Sequence, residues 1–230
     1  MTKKKILVGI NTLTEVNQIA YMNHMILFYR LGRNYRNIEF AICAPRRMSI
    51  DNMRNFCARA AIEGDFDYLW FIDDDVCIGP DALKILMDLN SDVAAGITLV
   101  RGYPFEPMLF SFAKGRKSPH VREYEKLVQK DGSIRKLDAV GCSCCLIRVS
   151  VLEKMEEPWF HTGPGYTEDV FFCQRAKSYK KNLTIAASNL VQTEHILGSE
   201  TISPSSRKAK MRFHETMHPD SKKAHSAKAS

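Results

Sequence analysis

The sequence predicts an α/β protein with a mostly parallel central sheet flanked by helices, and three observations carry that prediction. Short, continuously apolar runs at residues 6–10 and 68–72 are what strands buried on both faces require, and the largely apolar stretches at 38–43 and 183–187 read as further strands. Between them lie stretches whose apolar residues recur at helical spacing. A chain of 230 residues with 45% apolar composition can bury one substantial core and is short for two complete domains.

Taken in order, Ile6-Leu7-Val8-Gly9-Ile10 reads as a central strand, and Ile19, Met22, Ile26 and Tyr29 as the stripe of a helix that Gly32 is placed to end. After the second strand, Ser49 is positioned to cap a helix with Ile50, Met53, Phe56, Cys57 and Ala60 as its buried stripe and Arg54 and Asn55 beside it. The apolar run at 68–72 leads directly into Asp73-Asp74-Asp75, and Gly79-Pro80 opens a helix with Leu83, Leu86 and Met87 on one face. Residues 102–107 and 114–135 read as loops, with a short helix at 121–128. A strongly apolar segment follows at 138–149, and Ser150-Val151-Leu152-Glu153 has the form of a capping box. Gly163-Pro164-Gly165 is a tight turn, Thr167 caps a helix bearing Val170, Phe171, Ala176 and Tyr179, and a last strand precedes Gln192-Thr193-Glu194-His195.

Much of the net charge of +7 sits near the carboxyl end, where Arg207, Lys208, Lys210, Arg212, Lys222, Lys223 and Lys228 face only Glu215 and Asp220. The expected organisation is therefore one domain over residues 1–204 and a basic, flexible tail over 205–230, poor in large apolar side chains and read as a solvated or partly helical end. Basic residues confined to a tail argue against a specific nucleic-acid partner, which would spread them over one face. No run is long and apolar enough to span a bilayer or to be a signal peptide. The seven cysteines are odd in number and lack paired zinc spacing, so they read as reduced core thiols of a cytoplasmic protein.

Three consecutive aspartates at the end of an apolar strand repel one another and lose hydration, a cost that a divalent cation removes. Oxygen ligands suit Mg²⁺ or Mn²⁺, which complete their shells with water and substrate phosphates. Without a metal, the triplet reads as a solvated acidic turn at a helix start.

The strand at 6–10, the Arg54-Asn55 helix, Tyr68-Leu69-Trp70-Phe71-Ile72-Asp73-Asp74-Asp75, Gly141-Cys142 with Leu146-Ile147-Arg148, and Gly165-Tyr166-Thr167-Glu168-Asp169 together resemble the GT-A glycosyltransferases, family 2 above all, over about residues 6–198. The resemblance implies a single GT-A (Rossmann-like) domain and a hexosyltransferase-type enzyme that takes a sugar from a nucleotide-sugar donor, with a UDP-sugar the leading choice. It places Asp73 near the nucleotide's ribose and Asp75 on the metal, Mn²⁺ or Mg²⁺, with Asp73, two residues away, as a second carboxylate able to reach the same ion and Asp74 in the variable middle position. Asn11, Thr12, Arg54 and Asn55 are implied beside the nucleotide, Gly141 at the glycine-led strand, and His195 as a further metal ligand, against the alternative of an ordinary surface or core histidine. Glu168 and Asp169 match the pair that faces the acceptor, which implies Asp169 as general base and inversion; acids also favour any helix start. Trp159, Phe160 and Tyr166 suit either sugar stacking or core packing. The acceptor, whether glycan, lipid-linked or protein, stays open. Two alternatives remain: a metal-dependent nucleotidyltransferase or phosphate-ester hydrolase, which also holds a cation on strand-end aspartates but would favour a glycine-rich loop after the first strand, and a nucleic-acid-binding module using the basic tail.

Overall fold

A computed structural model describes residues 3–112, 118–218 and 221. The first half of the chain forms β1 (Lys4–Asn11), α1 (Gln18–Asn34), β2 (Ile38–Cys43), α2 (Ile50–Glu63), β3 (Tyr68–Asp73), β4 (Val76–Ile78), α3 (Ala82–Asp88) and β5 (Val93–Gly96). The second half adds β6 (Leu109–Phe110), a single 3-10 turn (Tyr124–Leu127), β7 (Ser133–Ile134), β8 (Ala139–Val140), β9 (Cys144–Arg148), α4 (Val149–Leu152), α5 (Glu168–Tyr179), β10 (Ile185–Ser188), β11 (Thr193–Leu197), β12 (Glu200–Ile202) and α6 (Arg207–Met217). The loop expected at 114–135 falls partly outside the described residues.

Seven strands form the main sheet in the order β2-β1-β3-β9-β5-β10-β7. β2, β1, β3, β5 and β10 run one way, while β9 and β7 run the other. This is the α/β Rossmann-like architecture expected, with antiparallel β9 inserted at its centre. Residues 68–72 are buried throughout because β1 and β9 flank β3 and both faces are covered. On one face Leu7, Leu69, Phe71, Cys145 and Ile147 pack with α2 and α5 residues; on the other Ile6, Val8, Trp70 and Ile72 pack with residues of α1 and α3. A Cβ on Gly9 would meet the Phe71 ring at 2.9 Å, so glycine allows α2 and β3 to crowd β1.

Several helix expectations need correction. Ile19, Met22, Ile26 and Tyr29 are the exposed face of α1, which instead buries Ala20, His24, Leu27 and Leu31. The buried stripe includes a polar residue, His24, whose Nε2 lies 2.9 Å from the Val76 carbonyl oxygen, so counting apolar residues selects the wrong side. α1 also runs past Gly32 to Asn34. On α2, Phe56 is exposed, whereas Arg54 and Asn55 are buried; on α5, Tyr179 is exposed and Phe172 and Cys173 are buried. The Ser150 box does not start a helix: α4 is one turn that begins at Val149. Within the tail read as solvated or partly helical, residues 207–217 form α6, with Met211 against Leu99, Phe105 and Ile202 and the Arg207 guanidinium donating to the Phe105 carbonyl at 2.8 Å. The seven cysteines are free thiols, and no described helix is long and apolar enough to cross a membrane.

A second, three-stranded sheet, β12-β11-β4, begins where the acidic triplet ends. β11 pairs antiparallel with β4 so that His195 lies opposite Val76, and the Ile196 amide donates to the Asp75 carbonyl at 2.9 Å. This pairing brings a residue from the end of the fold to the acidic turn.

Candidate active site

β1 and β3 are parallel and in register, which sets Asn11 beside Asp73 at the carboxyl edge of the sheet. The Asp73 amide donates to the Ser143 carbonyl at 3.0 Å, so the entry to β9 closes the same edge. Open α/β sheets bind ligands at this edge, where the chain turns away and leaves polar groups at the strand ends. Asn11 is 3% exposed, yet both its amide nitrogen and its oxygen lack a hydrogen-bond partner among the described residues. Buried polar groups in native proteins are normally paired, so this amide points to a polar ligand or water at the edge.

Arg54 is the hub of the site. α2 lies across β1 and β3 and carries the guanidinium to 4.9 Å from the Phe71 ring centre, where the side chain is 2% exposed. Its Nη2 donates to the two Asp73 carboxylate oxygens at 3.2 and 3.3 Å, its Nε to Glu168 at 3.0 Å and its Nη1 to the Cys142 carbonyl at 3.3 Å. Burial disfavours the charged form, but Asp73, Glu168 and Asp169 outweigh it and hold the Arg54 pKa above its ordinary value. Arg54 is therefore a buried clamp tying α2, the end of β3 and the start of α5, rather than a solvated helix charge. Its neighbour Asn55 donates to the Phe160 carbonyl at 2.8 Å and accepts from the Phe160 amide at 2.9 Å, which commits both ends of its amide to holding the segment before α5.

The three aspartates have three environments. Burial, with Asp75 and Glu168 nearby, pushes Asp73 up despite Arg54. Burial and the adjacent Asp75 and Asp73 push Asp74 up to about 6, against a hydrogen bond from Thr12. Asp75 is also desolvated, but the His195 hydrogen bond and charge and the Arg101 charge hold it below the usual carboxylate range. His195 Nε2 and Arg101 Nη1 approach the same Asp75 oxygen at 3.3 and 3.1 Å. His195 Nδ1 lies 2.7 Å from the Leu99 carbonyl oxygen. With that nitrogen donating, the contact with Asp75 needs a proton on Nε2, and although burial opposes the charge the Asp75 hydrogen bond raises the His195 pKa; loss of that proton would free an Nε2 lone pair for a cation, the arrangement typical of metal-binding histidines. The 3.3 Å separation is close to the roughly 3 Å between adjacent ligands on an ion with bonds of about 2.1 Å, so the pair fits part of the shell of a Mg²⁺-sized cation. Asp73 is turned to Arg54 instead, and no group of three or more ligating side chains converges among the described residues.

At the start of α5, Glu168 and Asp169 are both buried, Asp169 at 1% exposure. Asp169 Oδ1 accepts from the Thr167 hydroxyl and from the Val170 amide, while Oδ2 has no hydrogen bond among the described residues. Burial and the adjacent Glu168 push Asp169 up to about 6, against Thr167 and Arg54. Thr167 thus stands at the cap position but serves Asp169.

No protein-family model matches the chain, and a search of curated proteins finds no match. Solved structures do resemble it. The A197 protein from STIV shares a TM-score of 0.58 and 21% identity over 88% of this chain and 91% of that one, which shows a common fold. More distant likenesses are S. aureus TarS 1-349, with TM-score 0.40 and 13% identity over 80% of this chain and 60% of that one, and UDP-glucose pyrophosphorylase complexed with UDP-glucose, with TM-score 0.49 and 8% identity over 95% and 99%.

The structure brings Asn11, Arg54, Asp73 and Glu168 to one edge, with Asp169 beside Glu168, and Asp75 with His195 at the adjoining sheet. Thr12 bridges to Arg46 by backbone pairing next to Asp74. Gly141 donates its amide to Met108 at 2.8 Å and has Met108 where its Cβ would be, so glycine there permits close packing. Trp159 and Phe160 are core residues, the indole donating to the Leu152 carbonyl at 2.9 Å, whereas half-exposed Tyr166 stacks on Phe171. Sequence reasoning missed Arg101, which nothing in the sequence distinguishes from other loop arginines.

Proposed function

We propose that the protein is a metal-dependent glycosyltransferase that moves a sugar from a nucleoside-diphosphate sugar to an acceptor hydroxyl. The meeting of Asp75, in the turn from β3 into β4, with His195, brought to it by β11, carries this reading. These two residues would hold Mn²⁺ or Mg²⁺, which when bound neutralises the donor's diphosphate and eases departure of the nucleotide. Asn11, with its unpartnered amide, and Asp73, beside it, would contact the nucleoside, and Arg54 keeps Asp73 oriented. Asp169, desolvated and with one free oxygen, would take the acceptor proton as the acceptor oxygen bonds to the anomeric carbon, giving inversion. Glu168 is held by Arg54 and positions the start of α5. UDP is the favoured nucleotide by family resemblance, and the acceptor class is left open.

The test is a thermal-shift panel of UDP, GDP, CDP and dTDP with Mn²⁺ or with EDTA. A ligand at 100 times its Kd stabilises by about 2.7 kcal/mol, or roughly 5–10 °C for a chain of this size. We expect that shift with one nucleotide and only with metal; an equal shift in EDTA overturns the metal role. The nucleotidyltransferase alternative predicts stabilisation by a nucleoside triphosphate and release of pyrophosphate.

A further inference from the structure

We propose that Arg101 is a diphosphate-binding arm, which neutralises Asp75 while no divalent ion is held there and turns onto the nucleotide's diphosphate when the donor binds. The proposal rests on the glycosyltransferase reading above, and it concerns a residue to which neither the family resemblance nor the sequence pattern assigns a role.

Three observations carry it. Arg101 Nη1 lies 3.1 Å from Asp75 Oδ2, the same oxygen that faces His195 Nε2 at 3.3 Å, so the guanidinium stands where the proposed cation's charge would act. The Arg101 side chain is 60% exposed and, among the described residues, is the one basic group lining a cleft of about 310 Å³ with the acids Glu15, Asp74 and Asp75, with room in the open recess for its head to turn. Its loop, by contrast, is fixed: the Val100 amide donates to the Glu106 carbonyl at 2.9 Å, and the Phe105 amide to the Gly102 carbonyl at 2.8 Å. α6 braces the same loop through Arg207 on the Phe105 carbonyl and through the His214 ring stacked on Tyr103 at 4.4 Å. A rigid loop with a mobile charged head is the build of a ligand clamp.

Charge dictates the direction of movement. A cation held by Asp75 and His195 repels a guanidinium at this distance and removes its reason to stay on Asp75. The cleft then offers the diphosphate as its partner. In the transfer, the bond between the anomeric carbon and the β-phosphate oxygen breaks and its electron pair goes to that oxygen. The acceptor oxygen forms the new bond, and its proton goes to Asp169. The departing diphosphate therefore gains one negative charge, which a planar guanidinium fork can meet with paired hydrogen bonds.

The experiment measures binding in wild type, Arg101→Ala and Arg101→Lys. Free Mn²⁺ is followed by EPR without nucleotide, and UDP and UMP binding by calorimetry with saturating Mn²⁺. Removing the competitor should tighten Mn²⁺ binding by several-fold in Arg101→Ala. Losing a charge-assisted pair should weaken UDP by about 10- to 100-fold, and UMP, which lacks the β-phosphate, by far less. Arg101→Lys should fall between. If wild type binds UDP with Mn²⁺ and Arg101→Ala binds both ligands equally well, the arm is refuted and the glycosyltransferase reading stands. If wild type binds no nucleoside diphosphate with Mn²⁺, both fall together.

Discussion

Replacing Arg54 with Met tests whether the site is organised around one buried cation. The side chain is 2% exposed and pairs with Asp73, Glu168 and the Cys142 carbonyl. Methionine keeps much of the volume but leaves two desolvated carboxylates without their partner. Breaking a buried ion pair from one side costs about 3–5 kcal/mol, and here two pairs share the cation, so the upper part of that range is expected. The deficit should also depend on pH. The folded pKa of Asp73 already stands above its ordinary value with Arg54 holding it down, and removing Arg54 raises it further. A carboxyl with a raised folded pKa destabilises the fold fully above that pKa; the penalty shrinks as pH falls below it, where the folded state takes up a proton that the unfolded state does not yet hold, and is gone only below the unfolded value. The difference between Arg54→Met and wild type should therefore be largest at neutral pH and shrink on acidification. Urea denaturation of both proteins at pH 7.5 and pH 5.5 measures it. A deficit under about 1 kcal/mol, or one that grows with acid, would refute the hub.

Asp169→Asn should lower turnover by roughly 10²-fold while leaving Mn²⁺-dependent UDP binding unchanged, and wild-type kcat/KM should fall as pH drops through about 6, where the base gains its proton. Wild-type rates in Asp169→Asn would remove the base assignment. Asp75→Asn should do the reverse, weakening UDP only when Mn²⁺ is present; calorimetry with and without metal distinguishes the two variants. Ending the chain at Ser205 removes Met211, Arg207 and His214 from the Arg101 loop, so Tm should fall by about 3–8 °C and UDP affinity should drop. An unchanged Tm would show that α6 does not support the fold.

The central strand β3 was legible because burial on both faces writes a continuous apolar run, and the partly exposed edge strand β2 still matches its expected bounds. The faces of α1 and α2 were not, because their buried sides carry His24, Arg54 and Asn55, whose partners come from distant segments: the Val76 carbonyl, Asp73 with Glu168, and the Phe160 backbone. A periodicity count assigns such polar residues outward and moves the stripe to residues that are exposed. The acidic turn was readable because it directly follows a buried strand. Of its companions, His195 was reached only through the family resemblance, since the pairing of β11 with β4 that brings it to Asp75 is not written in the sequence, and Arg101, brought by the loop after β5, was missed. The packing of α6 was not legible because it is made by Arg207, Lys210, Met211, His214 and Glu215 rather than by an apolar stripe.

Glycosyl and nucleotidyl transfer can both use a nucleotide gripped at this edge, and they differ in the nucleophile. A sugar phosphate attacking phosphorus is already an anion and needs no base, whereas an acceptor hydroxyl is neutral and must lose a proton as it attacks carbon. Asp169 suits the second chemistry, since burial raises its pKa to about 6 and one carboxylate oxygen is free of hydrogen bonds among the described residues. A carboxyl serving only to start α5 would be expected to remain exposed and keep an ordinary pKa. The same variant therefore separates the chemistries. If Asp169→Asn abolishes sugar transfer while UDP still binds, the acceptor is a hydroxyl and the enzyme a glycosyltransferase; if it instead joins a nucleoside triphosphate to a sugar phosphate at the wild-type rate, the electrophile is phosphorus and Asp169 is structural.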